Sequence, residues 1–188
     1  MMARPVQNVQ RLTKSLIERF SILEPPVPVD QIASQLGIRL VYMPFSDNPR
    51  LSGMLVREED TVKMGINSAQ GKQRQRFTIA HELGHFFLDP AKNVWIDQGI
   101  GSAQISYRMT GESSGVHTVA EVRANKFAAA LLMPAEWLAH DFSEAQRQNT
   151  EWDDEDVVIR RLAARYQVSQ QAMIIRLLEL GLLEMDSP

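Results

Sequence analysis

The stretch QRFTIAHELGHFFLDP, Gln75 to Pro90, decides how this 188-residue chain is to be read. Two of the chain's four histidines stand four residues apart in it, with a glutamate directly after the first. From about Ser68 to Leu88 the apolar period is helical, and Pro90 marks its end. On a helix, positions four apart share one face, so His81 and His85 can present their imidazoles to a single ion. With His81 at zero on the wheel, His85 falls about 40° away and Glu82 about 100° away at the ideal pitch. Ile79, Ala80, Leu83, Phe86 and Phe87 gather on the opposite side, which predicts an apolar face for burial and histidines lining a cleft. This is H-E-x-x-H, in which two histidines bind zinc and the adjacent glutamate, badly placed to ligate, works on the activated water. A solitary helical histidine is usually structural; the pair with its interposed glutamate reverses that expectation.

A catalytic zinc needs a third protein ligand and one open position. The chain has no cysteine. The candidates are therefore His117, His140 or a carboxylate from a later element. The helix VAEVRANKFAAALLMP, Val119 to Pro134, supplies the best of these in Glu121, which shares a face with Asn125, Ala128, Ala129 and Leu132. Small alanines there would let this helix pack closely on the histidine helix. Asn125 is placed to hydrogen-bond a ligand from behind or to tie the two helices together. Taken alone, Glu121 also reads as a solvated carboxylate favoured by the helix dipole. A donor for the oxyanion of acyl transfer is expected from the loop between the two helices, where His117, Tyr107 and Arg108 lie, with His117 and Tyr107 ranked equal.

Elsewhere, Val6, Val9, Leu12, Leu16 and Phe20 recur at helical spacing and predict an opening amphipathic helix, stopped before EPPVPVD. Asp30 is expected to cap a short helix, QIASQL, closed by Gly37. IRLVYMPF, LSGMLVRE and TVKMGIN predict three strands of a small sheet, the last two a hairpin around Glu59 and Asp60. That hairpin is a candidate edge for holding an extended peptide. Residues 93–118 are rich in glycine and serine and read mostly as loop. The helix from about Val119 to Met133 is followed by a shorter one opened by Pro134 around Trp137. The acidic EWDDED then leads into two closely spaced helices, VVIRRLAARYQ and QQAMIIRLLELG. The expected division is a main domain over 1–145 with a helical segment, 146–188, packed on it.

Composition narrows the function classes. Without cysteine there is neither a disulfide framework nor a thiolate site, which fits a reducing compartment. MMARPVQNVQRLTKSLIERF lacks the apolar core of a signal peptide, and no apolar run approaches membrane-spanning length. A soluble, cytoplasmic protein is expected. A formal charge of -3 and a pI near 5.8 argue against broad phosphate contact.

RQRFTIAHELGH, then EVRANKFAAALLMP, then YQVSQQAMIIRLLELGLL, together resemble the ImmA/IrrE family of zinc metallopeptidases, from VPVDQIASQLGI onward. The resemblance implies a mainly helical, zincin-like α+β fold with a small three-stranded sheet and helix-turn-helix-like helices at the C-terminus. It implies zinc as cofactor, His81 and His85 as ligands, Glu82 as the catalytic glutamate, and Glu121 as third ligand by its position four before Asn125. Arg123 stands where many relatives carry a second glutamate, which leaves no rival for that role. The resemblance is to the short, mobile-element type, so the further C-terminal domain of the radiation-response members is not expected. The implied activity is cleavage of a helix-turn-helix transcriptional repressor.

Other readings compete. IRRLAARYQVSQQAMIIRLLELG has helix-turn-helix spacing, yet its second helix is apolar on many faces and leaves only Gln170, Gln171 and Arg176 for bases or phosphates. The acidic run from Glu151 to Asp156 would repel phosphate, so direct DNA binding is disfavoured. A binding module of a toxin–antitoxin pair, holding a DNA-binding antitoxin without hydrolysis, is the alternative from a different class. Two histidines and a carboxylate can also hold iron or manganese in an oxygenase, against which the placement of Glu82 argues.

Overall fold

The computed structural model describes residues 4–90, 93–97, 119–148 and 155–184. In chain order the elements are α1 (Arg4–Arg19), α2 (Val29–Gln35), β1 (Ile38–Met43), β2 (Gly53–Arg57), β3 (Val62–Asn67), α3 (Lys72–Leu88), β4 (Val94–Asp97), α4 (Val119–Leu132), α5 (Ala135–Gln148), α6 (Glu155–Tyr166) and α7 (Gln170–Glu179). The class is α+β and mostly helical, as expected. The chain divides into two compact units, Val29–Ala128, and Met1–Pro28 together with Ala129–Pro188.

The unit Val29–Ala128 is a mixed sheet with α3 laid on it. The order is β1-β3-β2-β4, with β1 parallel to β3 and both other pairings antiparallel. The hairpin forms where the acidic turn placed it. Glu58 N–H donates to Thr61 O at 2.8 Å, and the Glu58 carboxylate accepts from Thr61 Oγ1 at 3.0 Å and Lys63 Nζ at 2.8 Å. Leu55, Met64 and Ile66 are wholly buried, the inward positions of a pattern with period two. α2 contributes Val29, Ile32 and Ala33 to the core and is closed by Gly37 at φ +76°, a left-handed conformation suited to glycine. Asp30 lies in its first turn.

The three expected strands are joined by a fourth, β4, from a region read as loop. At four residues it is too short for its alternation to stand out. Its pairing with β2, from Gly53↔Asp97 to Val56↔Val94, has a consequence for the hairpin. β2 is flanked by β3 and β4, and β3 by β1 and β2, so the hairpin has no free edge; the edges of the described sheet are β1 and β4. The expectation that the hairpin offers an edge for a peptide is therefore overturned.

The other unit is helical. α1 buries Val9, Thr13, Leu16 and Ile17, and Lys14 on its outer side pairs with Glu136 of α5 at 2.6 Å. α5 is as long as α4, 14 residues each, and not the shorter helix expected. α6 and α7 are separated by a tight turn in which Gln167 takes φ +54° and Ser169 caps α7, its Oγ accepting from Ala172 N–H at 3.1 Å. One expectation about α7 fails. Arg176 is not available to a phosphate: it is buried, with Nε donating to Met133 O at 3.1 Å and a guanidinium nitrogen 3.3 Å from Glu179. Apolar positions at 173 and 177 turn that face inward and take Arg176 with them.

Candidate metal centre

α3 is preceded by Gly71, which has no side chain to cap it; instead Gln75 reaches back to Gln70 O at 2.6 Å and Ser68 O at 3.3 Å. It ends where Asp89 N–H returns to His85 O, one residue before Pro90. Gln75 and the whole run from Thr78 to His85 are buried. This differs from the expected apolar face opposite histidines in a cleft. The sheet lies against one side of α3 and α4 against another, so the polar residues are enclosed as well. His81, Glu82 and His85 are 2%, 0% and 1% exposed. Buried polar groups require partners, which makes their arrangement informative.

His81, His85 and Glu121 form a group able to hold a metal ion. His81 Nε2 lies 3.0 Å from His85 Nε2 and 3.2 Å from Glu121 Oε2; His85 Nε2 lies 3.4 Å from Glu121 Oε1. Zinc with ligands at about 2.0–2.1 Å in tetrahedral geometry has ligands about 3.3–3.4 Å apart. The nearest donor atoms stand at about that spacing, with Glu121 turning Oε2 toward His81 and Oε1 toward His85. On its far side, His81 Nδ1 is 2.9 Å from Asn125 Oδ1. A nitrogen facing a carbonyl oxygen carries the proton, which leaves Nε2 of the neutral ring as a lone pair aimed at its neighbours. His85 Nδ1 faces Asp89 Oδ2 at 3.6 Å, longer than a hydrogen bond. Burial would raise the Glu121 carboxyl, but hydrogen bonds and charge from the two facing imidazoles, when these are protonated, outweigh it and hold the group well below the usual carboxylate range, a part that a bound cation would take over. Two imidazoles and a carboxylate are a donor set that fits zinc.

Two features hold the helices at that distance. A Cβ on Gly84 would lie 2.9 Å from Ala124 Cα and 3.1 Å from Ala124 O, so α3 and α4 meet backbone to backbone at this point. The small-residue expectation for α4 named Ala128 and Ala129; the close approach is made by Ala124 against Gly84. The signal was present in a glycine inside a helix, which costs about 1 kcal/mol relative to alanine unless close packing requires it. Arg123 takes a second part: its guanidinium lies 3.8 Å from Asp89 and 3.5 Å from Leu88 O, at the negative end of α3.

Glu82 is enclosed on another side of α3, toward β2, and is not one of the three grouped residues. Among the described residues the third member of the group is Glu121. His140, the other described candidate, is largely exposed and 3.4 Å from Asp141. His117, Tyr107 and Arg108 lie outside the described residues.

Two histidines and a carboxylate on packed helices, with a glutamate following the first histidine, fit a metallopeptidase. The chain belongs to the Peptidase M78 family, the IrrE N-terminal-like domain, which matches residues 33–178. It is also similar to metallopeptidase ImmA of Bacillus subtilis (strain 168), 34% identical over 58 residues. That match covers 31% of this chain and 34% of the relative, so it spans about a third of each. Among the described residues no helix is long and apolar enough to cross a membrane.

Proposed function

We propose that the protein is a zinc-dependent endopeptidase whose substrate is a helix-turn-helix transcriptional repressor. The observation that carries the peptidase reading is the grouping of His81, His85 and Glu121, whose nearest nitrogen and oxygen atoms are 3.0–3.4 Å apart, in a chain of a peptidase family. His81, His85 and Glu121 would hold the ion. When bound there, zinc supplies Lewis acidity that brings a water toward ionisation at neutral pH and polarises the scissile carbonyl. Glu82 accepts the proton of the attacking water and delivers it to the departing amine, a role open to a carboxylate spared from ligation. Asn125 fixes the ring of His81 so that Nε2 faces the site. His117 and Tyr107 remain the candidates for the donor to the oxyanion.

The choice of a repressor rests on the ImmA/IrrE resemblance, and action on a transcriptional regulator places the work in the cytoplasm. The test is to incubate the chain with a repressor encoded beside it and follow cleavage, with the Glu82→Gln variant in parallel. Cleavage by wild type and none by the variant is expected. A variant that binds the repressor and keeps its biological effect without cleavage would favour the toxin–antitoxin binding module instead.

A further inference from the structure

The face of α3 toward β2 carries a row of residues spaced four apart, Arg74, Thr78 and Glu82. Each meets the start of β2. Arg74 donates to Ser52 Oγ, from one terminal nitrogen at 2.8 Å and from Nε at 3.2 Å. Thr78 and Glu82 both meet Gly53. A Cβ built on Gly53 would overlap Thr78 Cγ2 outright and would lie 3.3 Å from Glu82 Oε1 and 3.1 Å from Gly65 O. Glycine is not needed there for its backbone freedom, since the described glycines with positive φ are Gly37 and Gly181. Within a strand such a residue weakens pairing and marks a place where something else comes close.

We propose that Gly53 is a positioning residue for Glu82: the side chain missing from β2 is the space that holds the Glu82 carboxylate in its working place. The inference rests on the reading of Glu82 as general base. The strand cannot step back to make room. Asn67 Nδ2 donates to Leu51 O at 2.8 Å, and Asn67 N–H to Ser52 O at 2.9 Å. Ser52 Oγ also accepts from Gln70 Nε2 at 3.2 Å. Gly53 itself is paired on both sides, with Ile66 of β3 and Asp97 of β4. Any added atom at 53 must therefore be accommodated by α3, where Thr78 and Glu82 are both fully buried. A displacement of about 1 Å at a reacting group can cost about a hundredfold in rate, so the smaller shift that a Cβ at 53 asks of Glu82 should cost on the order of tenfold.

The test separates the packing of Thr78 from the placing of Glu82. Gly53→Ala, Thr78→Ser and the double variant are compared with wild type as zinc-loaded protein. Three quantities are read: melting temperature, the infrared carboxylate band of Glu82 isolated by subtracting the Glu82→Gln spectrum, and kcat and KM on dye-quenched unfolded casein. Thr78→Ser removes the methyl that a Cβ at 53 would strike. The double variant is expected to melt like Thr78→Ser and to keep its zinc and KM. Its Glu82 band should nevertheless stay displaced and its kcat at least tenfold low. A double variant with the wild-type band and wild-type kcat would overturn the proposal, because Gly53 would then serve only the packing of Thr78. If Glu82→Gln itself turned casein over at the wild-type rate, the general-base reading would fail, while the band would still report whether Gly53 places the carboxylate.

Discussion

Two polar clusters, one in each compact unit, solve the problem of burial in opposite ways. Around Asp141, one acceptor is met by several donors: Arg165 Nε at 2.8 Å and the Tyr166 hydroxyl at 3.0 Å on Oδ2, with His140 Nδ1 at 3.4 Å from Oδ1. Burial would raise the Asp141 carboxyl, yet these partners lower it, while burial and the same carboxylate push the Tyr166 phenol up. The cluster is complete as it stands. Around His81, His85 and Glu121, acceptors converge on one another. With His81 Nδ1–H donating to Asn125 Oδ1, the other ring nitrogen has a lone pair to offer, and its neighbours are another imidazole and a carboxylate. A proton can bridge one edge of that triangle; a cation at its centre satisfies all three. The Asp141 cluster ties two helices together, whereas His81, His85 and Glu121 form a donor set that one metal ion can share.

The largest effect that sharpens this contrast is at Glu82, which stands outside the donor triangle. Glu82→Gln should lower turnover by about 10²–10⁴-fold while leaving metal content unchanged. Measuring both on one preparation checks it, and loss of metal would place Glu82 among the ligands. Asn125→Ala should weaken metal affinity by about 10–100-fold, read by competition with a chromophoric chelator. Unaltered affinity would mean that the ring of His81 is held by packing alone. Gly84→Ala drives a methyl into the Ala124 backbone and should cost about 1–3 kcal/mol of stability in denaturant unfolding. It should also weaken metal binding, because Glu121 lies one turn before Ala124's neighbour Asn125 on the displaced helix.

The smallest effect belongs to the complete cluster. Tyr166→Phe should cost about 0.5–1.5 kcal/mol and leave the metal in place. A change in metal content would break the distinction between the two clusters. pH gives a related check. A carboxyl whose folded pKa is depressed contributes stability that is present above its unfolded value and lost as pH falls through the folded one. Asp141 therefore contributes in full above its ordinary 3.8, and the contribution drains away as pH falls below that value through the lowered folded one. Tyr166→Phe should move the acid-unfolding midpoint to higher pH.

Much of this was legible in the residues. The helix period around His81, the strand-like IRLVYMPF, LSGMLVRE and TVKMGIN, and the two closely spaced C-terminal helices all reflect local pattern, and each formed close to the expected limits. Asn125 was legible because one helical turn sets it beside Glu121. What local pattern could not supply was tertiary. The wheel placed the histidines opposite the apolar stripe, but the sheet on one side and α4 on another enclose the whole run from Thr78 to His85. β4 needed a partner strand before its four residues meant anything. Arg176 read as a surface cation because its burial depends on Met133 O, 43 residues away. Gly53 and Gly84 were visible as letters, yet a glycine states only that something comes close, not what.

The central claim is that the triangle of His81, His85 and Glu121 is a metal centre, and elemental analysis tests it most directly. Wild-type protein purified without added metal should be measured beside Glu121→Ala, with folding of both checked by circular dichroism. The account predicts about one zinc per wild-type chain and loss of it in the folded variant. A wild-type chain without metal, or a variant that keeps the wild-type complement, would contradict it.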